Sequence, residues 1–224
     1  MPADFHELQI AGIVQETHDT RSFILDVPES LRETFRYRAG QFLTFEVPWK
    51  GMQLHRCYSL SSAPETDPWP KVTVKRVDDG RISNWFNDNV QVGDAIMVQP
   101  PEGRFTIRSN EGDHGIVLFG GGSGITPVLS ILKSALRTTT RDVKLIYANR
   151  DARSIIFKDE IELWLAEFPE RLEVVHHLDS ESGFMSVADI QEQIRGWEDG
   201  EFFVCGPTGY MDAIEEAFKA SNID

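Results

Sequence analysis

An antiparallel β-barrel followed by a parallel-sheet α/β domain is the fold class this sequence predicts, and three observations predict it. Six short runs with partial apolar alternation, separated by Pro, Gly and Asp clusters, fill the first hundred residues. After Pro101-Glu102-Gly103-Arg104-Phe105 the rhythm changes to single strands alternating with helical stretches. A glycine run, Gly120 to Gly124, then joins the first apolar strand of the second half to a helix.

The barrel strands are expected at 8–15, 22–27, 41–47, 56–61, 71–77 and 94–99. Short strands at this regular spacing favour a closed or nearly closed antiparallel barrel. One helix interrupts them, over 84–89, with Ser83 as its N-cap. In the second half, strands are expected at 116–119, 143–148, 172–177 and 201–204. Helices are expected at 127–137, 158–167, 187–194 and 210–220. Strands alternating with helices indicate a parallel sheet covered on both faces. The stretch at 108–113, with Ser109, Asn110, Glu111, Gly112 and Asp113, reads as a linker, so the domains are placed at 1–109 and 110–224.

The chain of 224 residues has 41% hydrophobic and 26% charged residues, an ordinary globular composition. Its net charge of −14 is uneven, −3 over residues 1–110 and −11 over the rest. A nucleic-acid binder usually shows the opposite sign, so no nucleic acid is expected. The acidic half reads as a solvated surface, with any acidic protein partner directed to the first half. No secretory signal or apolar run long enough to cross a bilayer is seen. Cys57 and Cys205 are too few for a disulfide framework, which points to a reducing, cytoplasmic setting. The histidines lack metal-ligand spacing, so no metal is expected. His176 and His177 should point to opposite faces of a strand.

Two segments carry the chemistry. Gly122, Gly124, Thr126 and Pro127 follow an apolar strand and open a helix, where adjacent glycines permit positive φ and close approach to a ligand. The helix start adds free N–H groups and a positive dipole end for a pyrophosphate. Pro127 is tolerated in the first turn, but it replaces the third glycine of G-x-G-x-x-G, so the ordinary dinucleotide fingerprint is not met. A purely structural turn remains an equal reading. Earlier in the chain, Arg56, Cys57, Tyr58 and Ser59 combine a guanidinium, an aromatic ring and a hydroxyl. Arg56 and Tyr58 share one strand face while Ser59 points the other way. Arg56 can fork onto a phosphate and Tyr58 can stack on a flat ring. A cross-strand packing role fits Tyr58 as well. Gly80, Arg81, Ile82 and Ser83 form a second phosphate cradle or an ordinary capped helix.

Taken together, these segments resemble the ferredoxin–NADP reductase superfamily along nearly the whole chain. Arg38-Ala39-Gly40-Gln41-Phe42, Arg56 to Ser59, Gly80 to Ser83, Pro101 to Phe105, Gly120 to Pro127 and Cys205-Gly206-Pro207 fall in that family's order. His55 to Ser62, Val74-Lys75-Arg76, Ser83-Asn84-Trp85 and Tyr147 to Arg150 are most similar to reductase components of multicomponent oxygenases. That branch includes the ketosteroid-hydroxylase and phenylacetyl-CoA-oxygenase types. The resemblance implies a Greek-key FAD-binding barrel and an NAD(P)-binding domain. It implies that Arg56, Cys57, Tyr58 and Ser59 hold the flavin, with Ser59 near N5. Val74 and Arg76 would touch the flavin or its ribityl chain, and Gly80, Ile82 and Ser83 its phosphates. Gly122, Gly124, Thr126 and Arg150 would hold the nicotinamide nucleotide. Cys205, Gly206 and Pro207 would sit beside the nicotinamide ring, which makes Ser59 and Cys205 the catalytic candidates. Hydride transfer would then be the cofactor's chemistry, oriented by the protein.

NADH is expected rather than NADPH, because Asp179 and Glu181 would repel a 2′-phosphate. Arg150 and Arg153 pull the other way. The expected electron acceptor is a ferredoxin-like protein or an oxygenase component. Relatives of this branch usually continue into a plant-type iron–sulfur domain with four cysteines, which Cys57 and Cys205 cannot supply. The outlet is therefore expected on another domain or protein. Two other readings compete: an NAD(P)H:flavin oxidoreductase that treats flavin as a substrate, and a non-catalytic nucleotide-binding adaptor.

Overall fold

The computed structural model describes residues 4–108 and 114–223. The expected linker at 108–113 and the boundary between 109 and 110 thus fall almost wholly outside the described residues.

The first half is a six-stranded antiparallel sheet built from β1 (His6–Thr17), β2 (Thr20–Asp26), β3 (Phe42–Trp49), β4 (Met52–Ser59), β5 (Lys71–Lys75) and β6 (Ala95–Val98). The strand order is β4-β3-β6-β1-β2-β5. The two edge strands approach each other just beyond β4, where Leu60 bridges Val72 and the Ser61 N–H donates to the Lys71 carbonyl. That contact nearly closes the barrel. Alternation decides what fills it: Leu8, Ile10, Phe23, Leu25, Leu43, Phe45, Val47, Val72 and Val74 are all buried in one core. Helix α1 (Arg81–Asn89) plugs one end, with Phe86 against Phe23, Phe45 and Tyr58 in edge-on contacts. Such aromatic contacts add to the stabilisation given by burial alone.

The second half is a four-stranded parallel sheet of β7 (Ile116–Gly121), β8 (Val143–Asn149), β9 (Leu172–Leu178) and β10 (Glu201–Cys205), in the order β10-β7-β8-β9. Alternate residues of β7 serve opposite faces. Ile116 and Leu118 pack under α2 (Ile125–Thr138) and α3 (Lys158–Glu167). Val117 and Phe119 pack under α5 (Val187–Ile194) and α6 (Thr208–Ala220). Burial on both faces explains why β7 is apolar throughout. A single turn, α4 (Asp179–Ser182), follows β9 and was not expected. The order changes direction between β7 and β10, and open α/β sheets bind ligands outside the strand C-termini at such a point.

The halves are joined by a buried ion cluster. Lys133 of α2 is 1% exposed, and its Nζ lies 2.8 Å from Asp67 of the barrel half and 2.7 Å from Glu160 of α3. Lys71 of β5 reaches the same Glu160 at 3.2 Å. Ser130 on α2 adds a hydrogen bond to the Ser62 carbonyl and accepts one from the Gly40 N–H.

Candidate active site

A cavity of about 550 Å³ opens where the halves meet, a size typical of small-molecule sites. The barrel supplies Arg56, Cys57, Tyr58 and Ser59 of β4, Thr73 and Lys75 of β5, and the turn into α1 from Asp79 to Ser83. The glycine turn of the second half supplies Ser123 and Thr126. The two segments singled out in the sequence, more than sixty residues apart, thus form one cavity.

Four consecutive residues of β4 line it although a strand alternates. β4 is the edge of its sheet, so the cavity meets it from the side and takes both faces. The Tyr58 ring packs on Phe45 and Phe86, the cross-strand role expected for it, and the residue also borders the cavity. Burial pushes its hydroxyl up to about 12, against the opposing pull of the Arg56 cation, so it is a neutral donor at pH 7.

One expectation is corrected in this wall, and two expected side chains lie away from the cavity. Val74 points into the barrel core and is fully buried, and Arg76 pairs with Asp88 of α1 at 2.5 Å. Neither side chain borders the cavity; their neighbours Thr73 and Lys75 do. The period of two accounts for this, because Val72 and Val74 share the core face. Ser83 is not the N-cap. The helix starts three residues earlier, at Arg81 with Gly80 as N-cap, and Ser83 Oγ accepts the Val77 N–H at 3.3 Å. No side chain caps α1, whose start lies beside the cavity.

The glycine turn is held by backbone contacts. Gly122 has φ +53°, and its carbonyl accepts the Tyr147 hydroxyl at 3.1 Å. That hydroxyl also accepts the Ile156 N–H, which pins the turn to β8 from beneath. A Cβ on Gly124 would lie 2.2 Å from the Cys205 carbonyl oxygen, so only glycine lets β10 and the turn meet. A Cβ on Gly206 would lie 2.7 Å from the Tyr210 ring, and Pro207 is the N-cap of α6. Burial pushes the Cys205 thiol up, which keeps it neutral. Tyr147 was expected only as part of the Tyr147 to Arg150 resemblance; its role beneath the turn was missed, although a hydroxyl inside a fully buried strand is its signal.

Arg150 ends up at the C-terminal end of β8, its guanidinium on Asp151 and Ser154. The Ser180 N–H donates to the Arg150 carbonyl at 2.9 Å. The basic and acidic stretches that pulled nucleotide choice in opposite directions are therefore adjacent. His176 rests against Tyr147, while His177 bonds the Gly183 carbonyl.

The donor set suits a dinucleotide with a flat ring. Arg56, Lys75 and Arg81 face one carboxylate, Asp79, around hydroxyls and an open helix start. This surplus of cation matches a pyrophosphate. The comparisons agree. Residues 7–107 match the family described as the oxidoreductase FAD-binding domain, and residues 118–216 the oxidoreductase NAD-binding domain. Its first half thus matches the FAD-binding domain and its second half the NAD-binding domain. It is similar to the ferredoxin reductase component of 3-ketosteroid-9-alpha-monooxygenase from Rhodococcus rhodochrous, 47% identical over 95% of this chain and 60% of that protein. It is also similar to a component of the 1,2-phenylacetyl-CoA epoxidase of Escherichia coli, at 32% identity over 96% of this chain and 64% of that protein. The chain thus spans about three fifths of the length of these curated relatives. A ferredoxin-NADP+ reductase from Plasmodium falciparum shares the fold, with a TM-score of 0.80 at 16% identity over 96% of this chain and 91% of that one. The fold expected from the sequence is the fold observed. No helix among the described residues is long and apolar enough to cross a membrane.

Proposed function

We propose that this chain takes hydride from NADH onto FAD held in the cleft and passes the electrons to an iron–sulfur or oxygenase partner. One observation carries the reading: Arg56 to Ser59 and the Ser123–Thr126 turn border the same cavity. Residues 1–109 would form the flavin unit and 110–224 the nicotinamide unit. Bound FAD would supply the hydride acceptor.

The residues divide the remaining work. Arg56, Lys75, Arg81 and the open start of α1 hold the pyrophosphate, where charge-assisted hydrogen bonds are strongest. Tyr58 supports the ring, and the Ser59 hydroxyl donates to it. Gly122, Gly124 and Thr126 hold the second nucleotide against the first, with Cys205, Gly206 and Pro207 forming the wall behind it. Holding both nucleotides in one cleft would be the protein's main contribution to the rate.

NADH is favoured over NADPH because Asp179 and Glu181 stand beside the Arg150 turn, and Asp151 already occupies the Arg150 guanidinium. The names of the relatives support the reductase role, and the two free cysteines suit the cytoplasm. Purified protein loaded with FAD should keep its yellow colour through dialysis and reduce ferricyanide with NADH, with a higher kcat/KM than for NADPH. Loss of the flavin with undiminished turnover of free flavin would turn the assignment to a flavin-as-substrate reductase.

A further inference from the structure

A hydrogen-bonded chain on the cleft-facing side of the barrel has no part in the hydride step. Ser22, Ser61 and Thr73 are all buried, and buried hydroxyls find partners. Ser22 and Thr73 stand directly opposite each other on β2 and β5, with their hydroxyl oxygens 2.7 Å apart. Thr73 Oγ1 lies 2.8 Å from Ser61 Oγ. Ser22 Oγ donates to Glu16 Oε1 at 2.5 Å. Glu16 reaches this face because the β1–β2 register slips between Gln15 and Thr17, and a bulge re-aims a side chain.

One arrangement lets each hydroxyl donate once along the chain. Ser61 donates to Thr73, Thr73 to Ser22 and Ser22 to Glu16; the Lys71 carbonyl, 3.2 Å away, is the alternative acceptor for Ser61. The chain touches the cavity at Thr73 and ends on a half-buried carboxyl.

We infer that Thr73, Ser22 and Glu16 form the exit for the proton that flavin releases when it gives up its electrons. This rests on the flavin reading above. Hydride carries two electrons and one proton onto the flavin, and a one-electron acceptor removes only the electrons. The balance is FADH⁻ + 2 A(ox) → FAD + 2 A(red) + H⁺, so one proton must reach solvent in each cycle. A proton arriving at Thr73 Oγ1 releases the Thr73 proton to Ser22 and the Ser22 proton to Glu16. The hydroxyls are unchanged, and Glu16 hands the proton to water.

Burial pushes the Glu16 carboxyl above its ordinary value, opposed by the Ser22 hydrogen bond. Lys71 of β5 and Lys133 of α2 oppose it too, while Glu160 of α3 adds to the rise. Asp67 shares Lys133. A carboxyl raised towards neutrality both takes and returns a proton readily.

The test uses protein loaded with FAD, reduced by light and mixed with ferricyanide in weak buffer containing a pH indicator. Reoxidation and proton appearance should coincide, with a solvent isotope effect of about twofold for rate-limiting proton transfer. Glu16→Gln and Thr73→Val should each lower the rate of proton release relative to the rate of NADH bleaching by about tenfold or more. Thr73→Ser should restore it. A second arm needs no flavin: the infrared band of the protonated Glu16 carboxyl, assigned by its loss in Glu16→Gln, should titrate above 4.5. Its midpoint should move in Thr73→Val. An unchanged ratio in both variants, or a band at the ordinary value, overturns the proton exit. Failure of NADH to bleach the wild type while light reduction and proton release proceed would count against the hydride reading alone.

Discussion

The barrel half lines the cavity with many side chains, whereas the parallel-sheet half meets it with a glycine turn. Arg56, Tyr58, Ser59, Thr73, Lys75 and Arg81 border the cavity from the first. In the second, Gly122 and Gly124 matter for the atoms they lack, since Gly124 stands against the Cys205 carbonyl. The difference teaches where damage should spread. Loss on the barrel side should weaken one contact, and loss on the glycine side should displace a whole turn.

The largest effect is expected at the joint between the regions. Lys133→Met leaves Asp67 and Glu160 without their shared cation and should lower unfolding stability by about 3 kcal/mol in denaturant titration. A loss no larger than that of an exposed ion pair would mean the halves are held by packing alone. Gly124→Ala comes next. It should slow flavin bleaching by NADH about a hundredfold, as a misplaced reactant does, while FAD affinity stays near that of the wild type. Equal loss of both would erase the contrast between the regions. Arg56→Ala should do the reverse, weakening FAD binding by about 2 kcal/mol, roughly thirtyfold, in fluorescence titration.

The smallest effect is one of pH. Burial pushes the Asp67 carboxyl up, but the Lys133 cation and hydrogen bonds from Lys133, Ala63 and Thr66 outweigh it and hold it below 3.8. A carboxyl depressed by folding stabilises above its unfolded value and loses that contribution as the pH falls through the folded one. Thermal midpoints should therefore drop on acidification below about pH 4, and Asp67→Asn should flatten that slope.

The elements were legible because period and punctuation agreed along the chain. The run Ile116 to Phe119 could only be a strand covered on both faces, and Gly120 to Pro127 could only be a turn into a helix. Cavity membership was less legible on β5. Valines at 72 and 74 marked the core face, so Thr73 and Lys75 were readable as the outward pair, yet motif order directed attention to Val74 and Arg76. Ser83 read as a cap because serine is a good one; the chain instead turns at Asp79, with φ +56°, and starts the helix earlier. The Lys133 cluster was invisible, since Asp67 and Glu160 lie far from it in sequence and meet only through the packing of the two halves. The same holds for Glu16, which faces Ser22 only because of a bulge.

The central claim is that the side-chain wall and the glycine turn hold two cofactors in contact. Anaerobic titration of FAD-loaded protein with NADH, followed by absorbance, tests it most directly. The account predicts loss of the flavin's visible bands at one NADH per FAD, with the bands returning on addition of ferricyanide. Persistence of the oxidised spectrum in excess NADH would contradict it.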